Sequence, residues 1–546
     1  MAIFIFTFVR INKEVFLMNF NIQPISLNIP RVGFKSNKKE QPSESILERS
    51  PKQDSFKISI GYVNDIHGQT NNMMRILSGI KGDLKLSAGD NDIGDEKNQG
   101  VRKATTMFLN IAEIKASALG NHELDTTQKD CIDAIKNYDG DFLCLNYSKE
   151  PLENQNPDEV EKLGRAELDK HLKKSKIIEV KGQKIGLVGA SPMDMFERLT
   201  HPNYYTDSKV DSLEDTIEEI QEEIDNMKDQ GVNKIILLSH LGHKKDQLVA
   251  QSTNGIDVII GGHTHELIKG IKEGENLFYS KTGEPVLLTE AGRDGNYFGN
   301  LNLTFDKDGV IEKAQNNIGE TRLFHKNMIN QFVFDYLLGK PEIVGYVQSA
   351  PPPPKSLLEE NPHANFVCDV MREKTDSDIA LWHNCGVRGF FHEGVVDSSE
   401  IKDMSPFLDY VAVANVSEKT IVDLFKNAIE TSYSSVGNKP GLIAVSGLNY
   451  TVNPEEGELV EMNFVDKNGK IHNIDIENPS EDKTYKVVTD EFLMSAGADF
   501  NILAPEEDYL EKFNYDKDVM VCQYIKESGK PVVIEHSGRI NFRYDD

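Results

Sequence analysis

The chain has 546 residues, which is too long for one ordinary domain and predicts two large domains. Its formal net charge of −28 argues against nucleic acid or an anionic membrane surface as a general partner, because binding to phosphate groups needs clustered Lys and Arg. The five cysteines are scattered without CxxC spacing, which argues against a disulfide framework or a cysteine-rich zinc site. This composition suits a soluble protein whose local positive charge comes from bound metals.

The first 55 residues are predicted to form a disordered or poorly ordered tail, because from Met18 to about Ser55 they are polar and aperiodic. The run Ala2–Val9 is apolar, but no basic region precedes it and no small-residue cleavage site follows it. It is also too short to span a bilayer. Met18 is an alternative start. By sequence alone the expected compartment is therefore the cytoplasm, with no membrane segment.

Residues 56–325 alternate strand-like runs with helical stretches, which predicts βαβ units in a layered α/β domain. The segment Ser212–Gln230 is amphipathic and acidic, as expected for a surface helix, and residues 154–174 form a highly charged surface insertion. Five short apolar runs are predicted to be buried strands: Ile58–Val63, Leu84–Leu86, Ala116–Ala118, Ile235–Leu238 and Val258–Ile260.

Residues 326–355 are predicted to link this domain to a second mixed α/β domain over residues 356–546. The segment Phe324–Leu338 has helical periodicity, and Pro351–Pro354 favours a stiff polyproline II spacer.

A polar motif follows each of the five predicted strands. In open α/β sheets, ligands bind beyond the carboxyl ends of the strands, so the five motifs are expected to converge on one site. They carry the carboxylate, amide and imidazole groups of a two-metal phosphoesterase site. The motifs are Asn64–Gly68, Ala88–Gly94, Leu119–Asp125, Ser239–His243 and Gly261–His265.

The motifs match, in identity, order and approximate spacing, the pattern D-x-H, G-D-x-x-x-G, G-N-H-E, H and G-H-x-H. The chain therefore resembles the 5′-nucleotidase family of calcineurin-like metallophosphoesterases. The resemblance implies a layered metallophosphoesterase domain, with β-sheets flanked by helices, and a C-terminal domain that binds the substrate. It also implies export from the cytoplasm, by a route that the sequence does not indicate.

The expected metal ligands divide into two sets that share one carboxylate. Asp65 and His67 are two residues apart, so both side chains can grip one ion, and Asp90 is placed to bridge two ions ~3.5–4 Å apart. This assignment agrees with what the resemblance implies. Ligation by nitrogen and oxygen without thiolate favours two divalent ions of Zn, Mn, Fe or Co. The first ion takes Asp65, His67, Asp90 and His265, and the second takes Asp90, Asn121, His240 and His263.

His122 and Asp125 are the expected catalytic pair, because a spacing of three residues at a helix start brings carboxylate and imidazole together. His122 would then hydrogen-bond the transferring phosphoryl group or protonate the leaving alkoxide. His243 has no counterpart in the pattern and is expected to be an ordinary loop residue. Asp92 and Asp95 are expected to be solvated loop acids rather than ligands.

The second domain resembles the family's C-terminal domain less closely. The segments that carry this resemblance are Glu360–Met371, His383–Arg388, Ser405–Phe407, Ser446–Leu448 and Tyr485–Phe500. His383 stands where the family has Asn, Glu359 stands where a phosphate-binding Arg often precedes the Glu, and the last glycine-rich turn reads Ala-Gly-Ala-Asp.

The resemblance implies four substrate-binding residues in this domain. Phe407 and Phe492 would sandwich a nucleobase, although an isolated Phe is more often a core residue. Arg388 suits bidentate capture of phosphate or carboxylate, with a surface salt bridge as the alternative. Asn384, in the same segment, is the fourth candidate.

The sequence thus predicts a two-domain dimetal phosphomonoesterase that hydrolyses nucleoside 5′-monophosphates or related nucleotides. The alternative within the same class is a phosphodiesterase or pyrophosphatase that acts on cyclic nucleotides, nucleotide sugars or another phosphoester. A catalytically idle ligand-binding protein is the alternative from another class. The expected partner is a small-molecule nucleotide or phosphoester, and the sequence does not indicate an oligomeric state.

Overall fold

The structure is a computed structural model that describes residues 55–93, 99–149, 168–196, 208–407, 409–434, 440–495 and 500–544. It also describes the backbone of three short strands within the first 55 residues. Asp95, most of the charged segment 154–174 and the turn 496–499 lie outside the described residues.

Residues 1–325 contain strands β1 to β17. They are β1 (Phe6–Ile11), β2 (Glu14–Asn19), β3 (Leu47–Glu48), β4 (Phe56–Val63), β5 (Leu84–Ser87), β6 (Ala116–Ala118), β7 (Asp141–Leu143), β8 (Tyr147–Lys149), β9 (Ser175–Val180), β10 (Gln183–Ala190), β11 (Ser208–Val210), β12 (Ile235–Ser239), β13 (Val258–Ile260), β14 (Leu277–Tyr279), β15 (Pro285–Thr289), β16 (Tyr297–Phe305) and β17 (Ile311–Glu320). Strands β1 and β2 form a separate two-stranded sheet, and β3 pairs with β17. The five predicted strands are confirmed as β4, β5, β6, β12 and β13.

Two large sheets form the centre of the first domain, and the predicted strands are divided between them. One sheet has the order β3-β17-β16-β4-β5-β6-β7, and the other has the order β14-β15-β13-β12-β10-β9. Strands β4 to β7 are parallel, as are β10, β12, β13 and β15. Apolar side chains from both sheets, such as Ile60, Leu86 and Leu238, form one shared core. The layered α/β fold class is therefore confirmed.

The helices of the first domain pack mainly on the outer faces of the sheets. They are α1 (Thr70–Gly79), α2 (Gln99–Ile111), α3 (Gln128–Asn137), α4 (Leu213–Asp229), α5 (His243–Ser252) and α6 (Met328–Leu338). The predicted amphipathic helix is confirmed as α4, whose Ser212 side chain caps it by accepting from the Asp215 N–H. Helix α6 begins four residues later than predicted, and residues 324–327 form a non-helical connection after the 3₁₀ turn Thr321–Leu323.

The second domain is also mixed α/β. Its strands are β18 (Ile343–Ser349), β19 (Ile379–His383), β20 (Gly394–Asp397), β21 (Tyr410–Ser417), β22 (Ile443–Ser446), β23 (Leu448–Asn453), β24 (Glu458–Val465), β25 (Ile471–Ile474), β26 (Thr484–Asp490), β27 (Tyr509–Asp516), β28 (Val532–Val533) and β29 (Ile540–Phe542). Its helices are α7 (Pro362–Lys374), α8 (Ser398–Met404), α9 (Glu418–Tyr433), α10 (Glu491–Met494) and α11 (Lys517–Ser528).

Three sheets build this domain, in the orders β22-β19-β26-β21-β27, β20-β18-β28 and β25-β24-β23-β29. Strand β18 lies within the predicted linker 326–355, yet it pairs with β20 and β28 of the second domain. Across the described parts of both domains, none of the helices combines the length and the apolar character needed to cross a membrane.

The two domains meet where helix α1 faces helix α8. The Asp403 carboxylate accepts hydrogen bonds from the backbone N–H of Asn71, at 3.2 Å, and from its side-chain amide, at 2.8 Å. Helix α1 has no side-chain cap of its own at Gln69, so the second domain supplies the acceptor at its N-terminus. Because α1 directly follows the first metal motif, this contact joins the second domain to the candidate site.

Candidate active site

Five of the expected metal ligands have left-handed backbone conformations. Non-glycine residues rarely adopt these conformations, which cost of the order of 1 kcal/mol each and cluster at functional sites. These strained residues lie in the turns that follow the strands, and each turn directs the side chain of its ligand into the site. The residues are Asp65 (φ 46°), His67 (φ 51°), Asp90 (φ 49°), His263 (φ 77°) and His265 (φ 61°).

Six of the expected ligands, together with the predicted catalytic residue His122, lie in three overlapping groups, each compact enough to hold a metal ion. The groups are Asp65, His67 and His265; His67, Asp90 and His122; and Asp90, His240 and His263. Within each group the potential ligand atoms lie within 4.8 Å of one another. Asp90 and His67 each belong to two groups, and the carboxylate of Asp90 has two oxygens with which it could bridge two ions.

In His240 and His67 the Nδ1 atom of the imidazole is hydrogen-bonded, and the Nε2 atom points toward the candidate metal site. Nδ1 of His240 lies 2.7 Å from the carbonyl oxygen of Ala88, and Nδ1 of His67 lies 2.9 Å from Oδ1 of Asp294. The Nε2 atoms of both rings are buried and make no well-aligned hydrogen bond to the described residues, although Oδ2 of Asp90 lies 3.0 Å from Nε2 of His240 and 3.8 Å from Nε2 of His67. A buried polar atom without a partner is costly, and a metal ion in the site would satisfy both atoms. The residues present therefore fit a metal centre.

The ligands expected for the second ion also lie close together. Oδ1 of Asn121 is 3.1 Å from Nδ1 of His263, and Nε2 of His240 is 3.0 Å from Oδ2 of Asp90. Nε2 of His263 lies 3.2 Å from Oδ1 of Asp194, an acid outside the predicted motifs. On the side of the first ion, Nε2 of His265 lies 3.5 Å from Oδ1 of Asp65.

The two central carboxylates remain ionised although they are buried. Burial alone would raise the pKa of Asp65, but the imidazoles of His240 and His265 offset it and lower the pKa to about 2. Burial opposes ionisation of Asp90 in the same way, and the charges of His240 and His122 hold its pKa well below the usual range. Two buried anions of this kind suit divalent cations.

The predicted pair His122 and Asp125 is in contact, with 2.6 Å between Nδ1 and Oδ2. The backbone N–H of His122 also donates to Oδ1 of Asp90, at 2.8 Å. Burial would lower the pKa of His122, but the carboxylates of Asp125 and Asp90 outweigh it and raise the pKa to about 9. Since 19% of the His122 side chain is exposed, the ring can reach a bound molecule.

Glu123 organises the loops beneath the site, although the sequence analysis assigned it no role. Its carboxylate accepts hydrogen bonds from the backbone N–H groups of Asp90 (3.0 Å), Asn91 (2.8 Å) and Gly120 (2.8 Å). Burial raises its pKa to about 7. Its place beside His122 in the third motif was a signal that could have identified it.

The expectation that Asp92 is a solvated loop acid is wrong. Its side chain is 5% exposed, and Oδ2 lies 2.6 Å from Nε of Arg102. Arg102, on helix α2, also donates to the hydroxyl of Thr126 at 2.6 Å and to the carbonyl of Glu123 at 3.2 Å. Asp92 therefore connects the loop of the second motif, through Arg102, to the loop of the third motif. It belongs to none of the metal-competent groups.

Arg388 extends from the second domain into the candidate metal centre. Its Nη1 lies 3.2 Å from Nδ1 of His67 and 3.7 Å from Oδ1 of Asp294. The centre of its guanidinium lies 5.5 Å from the centroid of the Phe407 ring. Because only 11% of the side chain is exposed, the surface salt bridge considered from sequence does not describe this residue.

The other substrate candidates lie in different surroundings. Asn384 is buried, and its amide donates to the carbonyl oxygens of Leu357 (3.0 Å) and Glu359 (3.1 Å), so it holds the neighbouring loop. Phe492 is 37% exposed, and its ring centroid lies 5.2 Å from that of His383. Phe492 is therefore not a core residue. The structure places Phe407 against Arg388 and Phe492 against His383.

His383, which replaces the family's Asn, has its own partner in the site. Its Nδ1 lies 2.8 Å from Sγ of Cys385. Burial alone would lower the pKa of His383, but the thiolate form of Cys385 offsets it and raises that pKa. This polar pair stands beside the partly exposed ring of Phe492.

Two protein-family models match separate parts of the chain. Residues 58–267 match the family described as calcineurin-like phosphoesterase, and residues 346–505 match 5′-nucleotidase, C-terminal domain. A 5′-nucleotidase of Diplobatis ommata is 25% identical over 473 residues, which cover 80% of this chain and 77% of that protein. The trifunctional nucleotide phosphoesterase protein YfkN of Bacillus subtilis is 25% identical over 90% of this chain, but the match spans only 35% of YfkN.

Solved structures show the same fold. The 5′-nucleotidase precursor from Thermus thermophilus has a TM-score of 0.64 and 21% identity, over 89% of this chain and 99% of that one. The sulfate thiohydrolase SoxB of the same organism has a TM-score of 0.62 and 13% identity, over 89% of this chain and 96% of that one. The shared fold thus extends over both domains.

Proposed function

Because the chain belongs to the family that joins a calcineurin-like phosphoesterase domain to a 5′-nucleotidase C-terminal domain, we propose that it hydrolyses nucleoside 5′-monophosphates or related nucleotides to nucleoside and phosphate. One observation carries the proposal. The Arg388 guanidinium of the second domain lies 3.2 Å from His67, so a phosphate donor adjoins the metal ligands. A phosphate bound there would meet both the metal centre and the nucleoside-binding domain.

In this proposal two divalent cations are held as the sequence predicts. Asp65, His67 and His265 would hold the first, Asn121, His240 and His263 would hold the second, and Asp90 would contribute to both. When bound, two such cations supply positive charge for the phosphoryl oxygens and increase the acidity of a water molecule. The ionised carboxylates, and the two buried Nε2 atoms that lie beside them without a well-aligned hydrogen bond, support this assignment.

His122 handles the proton of the reaction. The carboxylate of Asp125, 2.6 Å from Nδ1, favours the protonated form of the ring. The ring then hydrogen-bonds the phosphoryl group and gives its Nε2 proton to the 5′-oxygen of the departing nucleoside. Asp125 also holds the ring and stabilises its charge.

The second domain orients the nucleotide. Arg388 contacts the phosphate, Phe407 and Phe492 stack on the base, and Asn384 fixes the loop beside them. Support comes from the exposure of Phe492 and from the packing of Arg388 on Phe407. Each of these roles stays a prediction.

The second candidate function is hydrolysis of cyclic nucleotides or nucleotide sugars. Glu359 favours it, because it stands where the family often has a phosphate-binding Arg. Its carboxylate accepts from the Lys355 N–H at 3.0 Å and supplies no donor to a phosphate. A site with fewer fixed phosphate donors discriminates less between monoesters and other phosphoesters.

A substrate panel tests both functions. The protein would be assayed with AMP, other 5′-monophosphates, 3′-AMP, 2′,3′-cyclic AMP, a nucleotide sugar and p-nitrophenyl phosphate, each with Mn²⁺, Zn²⁺, Co²⁺ or Mg²⁺. We expect the highest kcat/KM with 5′-monophosphates, and none with an Asp90→Asn control. A preference for cyclic or diphosphate substrates would establish the second candidate and overturn the first.

A further inference from the structure

Asp294 lies outside all five sequence motifs, yet it is fully buried between His67 and two arginines. Oδ1 lies 2.9 Å from Nδ1 of His67 and 3.7 Å from Nη1 of Arg388, and Oδ2 lies 2.7 Å from Nε of Arg293. We propose that Asp294 is a positioning residue that fixes the His67 ring for metal binding and holds Arg388 of the second domain beside it.

The first part of the argument concerns the proton on His67. A carboxylate only accepts hydrogen bonds, so the contact with Asp294 places the imidazole proton on Nδ1. The lone pair of the neutral ring is then on Nε2, which lies 3.8 Å from Oδ1 of Asp65 and 3.8 Å from Oδ2 of Asp90. Ligating histidines usually donate their other N–H to a carboxylate, which fixes both the tautomer and the ring orientation. Asp294 supplies that carboxylate here.

The second part concerns Arg388. With a proton on Nδ1 of His67, the Nη1 atom of Arg388 faces another donor at 3.2 Å, and this contact is not a hydrogen bond. The attraction that holds the guanidinium in place therefore comes from the Asp294 carboxylate and the Phe407 ring. Its Nε is buried without a hydrogen-bond partner among the described residues. Arg388 thus keeps donor capacity for an anionic ligand.

The backbone of Asp294 is anchored to the first metal motif itself. Its N–H donates to the carbonyl of Asp65 at 2.6 Å, and its carbonyl accepts from the Asn72 amide at 2.9 Å. Its φ of 56° is a strained left-handed conformation, which Asn and Asp tolerate best among non-glycine residues. Arg293 also donates to the carbonyl of Val387, next to Arg388. The Arg293–Asp294 pair therefore connects the metal motif to the second domain.

The inference for Arg388 rests on the proposed function, whereas the inference for His67 needs only metal binding. Asp294→Asn is the test variant, because Asn keeps the size and the left-handed backbone but removes the charge. Asp257→Asn is the control for the same substitution at a buried acid away from the ligands; burial raises the pKa of Asp257, so this change does not remove a negative charge. Asp257 is also a buried acid, with Oδ2 accepting from the Ile235 N–H at 2.7 Å, but it precedes β13 at the end of the sheet away from the ligands.

The first measurement is Mn²⁺ binding to the full chain by isothermal titration calorimetry. We expect Asp294→Asn to weaken one of two binding steps by about 10–100-fold, the usual effect of losing the outer partner of a ligating histidine. Asp257→Asn should bind like the wild type. If a folded Asp294→Asn protein binds Mn²⁺ in two steps with the affinities of the wild type, the role assigned at His67 is overturned.

The second measurement is the KM for AMP at saturating Mn²⁺. We expect Asp294→Asn to raise KM about 10-fold and to add nothing further in an Arg388→Gln background, because both changes remove the same placement. If the two substitutions raise KM independently, so that the increase in the double variant is the product of the two single increases, the link to Arg388 is overturned. If the wild type does not hydrolyse AMP, the proposed function fails, while the metal titration still decides the role at His67.

A third measurement does not depend on Asp294 variants. In zinc-loaded wild-type protein with ¹⁵N-labelled histidine, NMR reports which ring nitrogen carries the proton, and comparison with His67→Asn identifies the His67 signals. We expect the proton on Nδ1. A proton on Nε2 would overturn the proposal.

Discussion

Arg388 of the second domain places its Nη1 atom 3.2 Å from Nδ1 of His67 in the first domain. The candidate metal centre, whose expected ligands all come from the first domain, therefore lies at the boundary with the second domain. On the far side of the same motif, Asp403 accepts from the N–H of Asn71 and supplies the acceptor at the start of helix α1. The second domain thus contacts the first metal motif and its helix at two points, so changes in either domain are expected to affect both metal binding and substrate binding.

Replacement of Asp90 by Asn should abolish turnover and metal binding together. Its Oδ2 lies 3.0 Å from Nε2 of His240 and 3.8 Å from Nε2 of His67, so one carboxylate serves both positions. A neutral amide cannot supply the shared negative charge that holds two cations. Metal content per chain, measured by elemental analysis after dialysis, checks this. Two metals per chain in a folded Asp90→Asn protein would contradict the bridging role, and Asp257→Asn is the control for loss of a buried acid.

Replacement of His122 by Ala should lower kcat by ~10²–10⁴ and leave the metal content near that of the wild type. The ring contacts Asp125, and its backbone N–H, which the substitution keeps, makes the hydrogen bond to Asp90. Elemental analysis and steady-state kinetics on the same preparation separate the two effects. Metal loss in parallel with activity would identify His122 as a ligand.

Replacement of Asp125 by Asn should shift the basic limb of the kcat profile to lower pH. The Asp125 charge is the largest contribution that raises the pKa of His122, against the opposing effect of burial. Without it the protonated ring loses its proton at a lower pH, and the general acid disappears earlier on the alkaline side. The profile of kcat from pH 6 to pH 10 measures this shift. An unchanged basic limb would mean that another group donates the proton.

Asp403 should give the wild type a pH-dependent stability that Asp403→Asn lacks. Burial raises the pKa of Asp403 to about 6, despite the hydrogen bonds from Asn71, whereas an unfolded chain keeps it near ~4. The folded state therefore binds the proton more tightly. The resulting stabilisation is complete below pH ~4 and is lost as the pH rises through about 6.

The size of this effect can be measured by urea unfolding at several pH values. Two pKa units correspond to at most ~3 kcal/mol, and because the side chain is only half-buried we expect ~1–2 kcal/mol. The free energy of unfolding of the wild type should fall by that amount relative to Asp403→Asn between pH 4 and pH 7. Parallel curves for the two proteins would contradict the prediction.

The sequence predicted the strands and the ligand motifs because both are local patterns. Each motif is a short polar turn directly after a buried strand such as β4 or β13, and parallel strand ends meet without further information. The partners of the ligands were not predictable in this way. Asp294 is 227 residues from His67, and only the arrangement of the two sheets brings them together. Asp92 was misjudged for the same reason, because Arg102, which makes its burial tolerable, lies on a separate helix.

Base recognition by Phe407 and Phe492 is the last prediction, and it separates nucleotides from small phosphoesters. Phe492 is 37% exposed against His383, and Phe407 packs under the Arg388 guanidinium, so both rings flank polar groups of the proposed substrate site. A stacked base gains ~0.5–1.5 kcal/mol beyond its area burial, so removing one ring should raise the KM for AMP about 3–10-fold. The smaller substrate p-nitrophenyl phosphate needs only the metal centre and Arg388, and its kcat/KM should stay within about twofold in Phe492→Ala. Phe407→Ala should lower kcat/KM for both substrates, because Phe407 also supports Arg388, but the loss for AMP should be larger.

Phe464→Ala is a control, since that ring packs on Tyr485 within the second domain and should spare both substrates. Equal losses on AMP and p-nitrophenyl phosphate in Phe492→Ala would exclude stacking by that ring and leave the base unrecognised at this position.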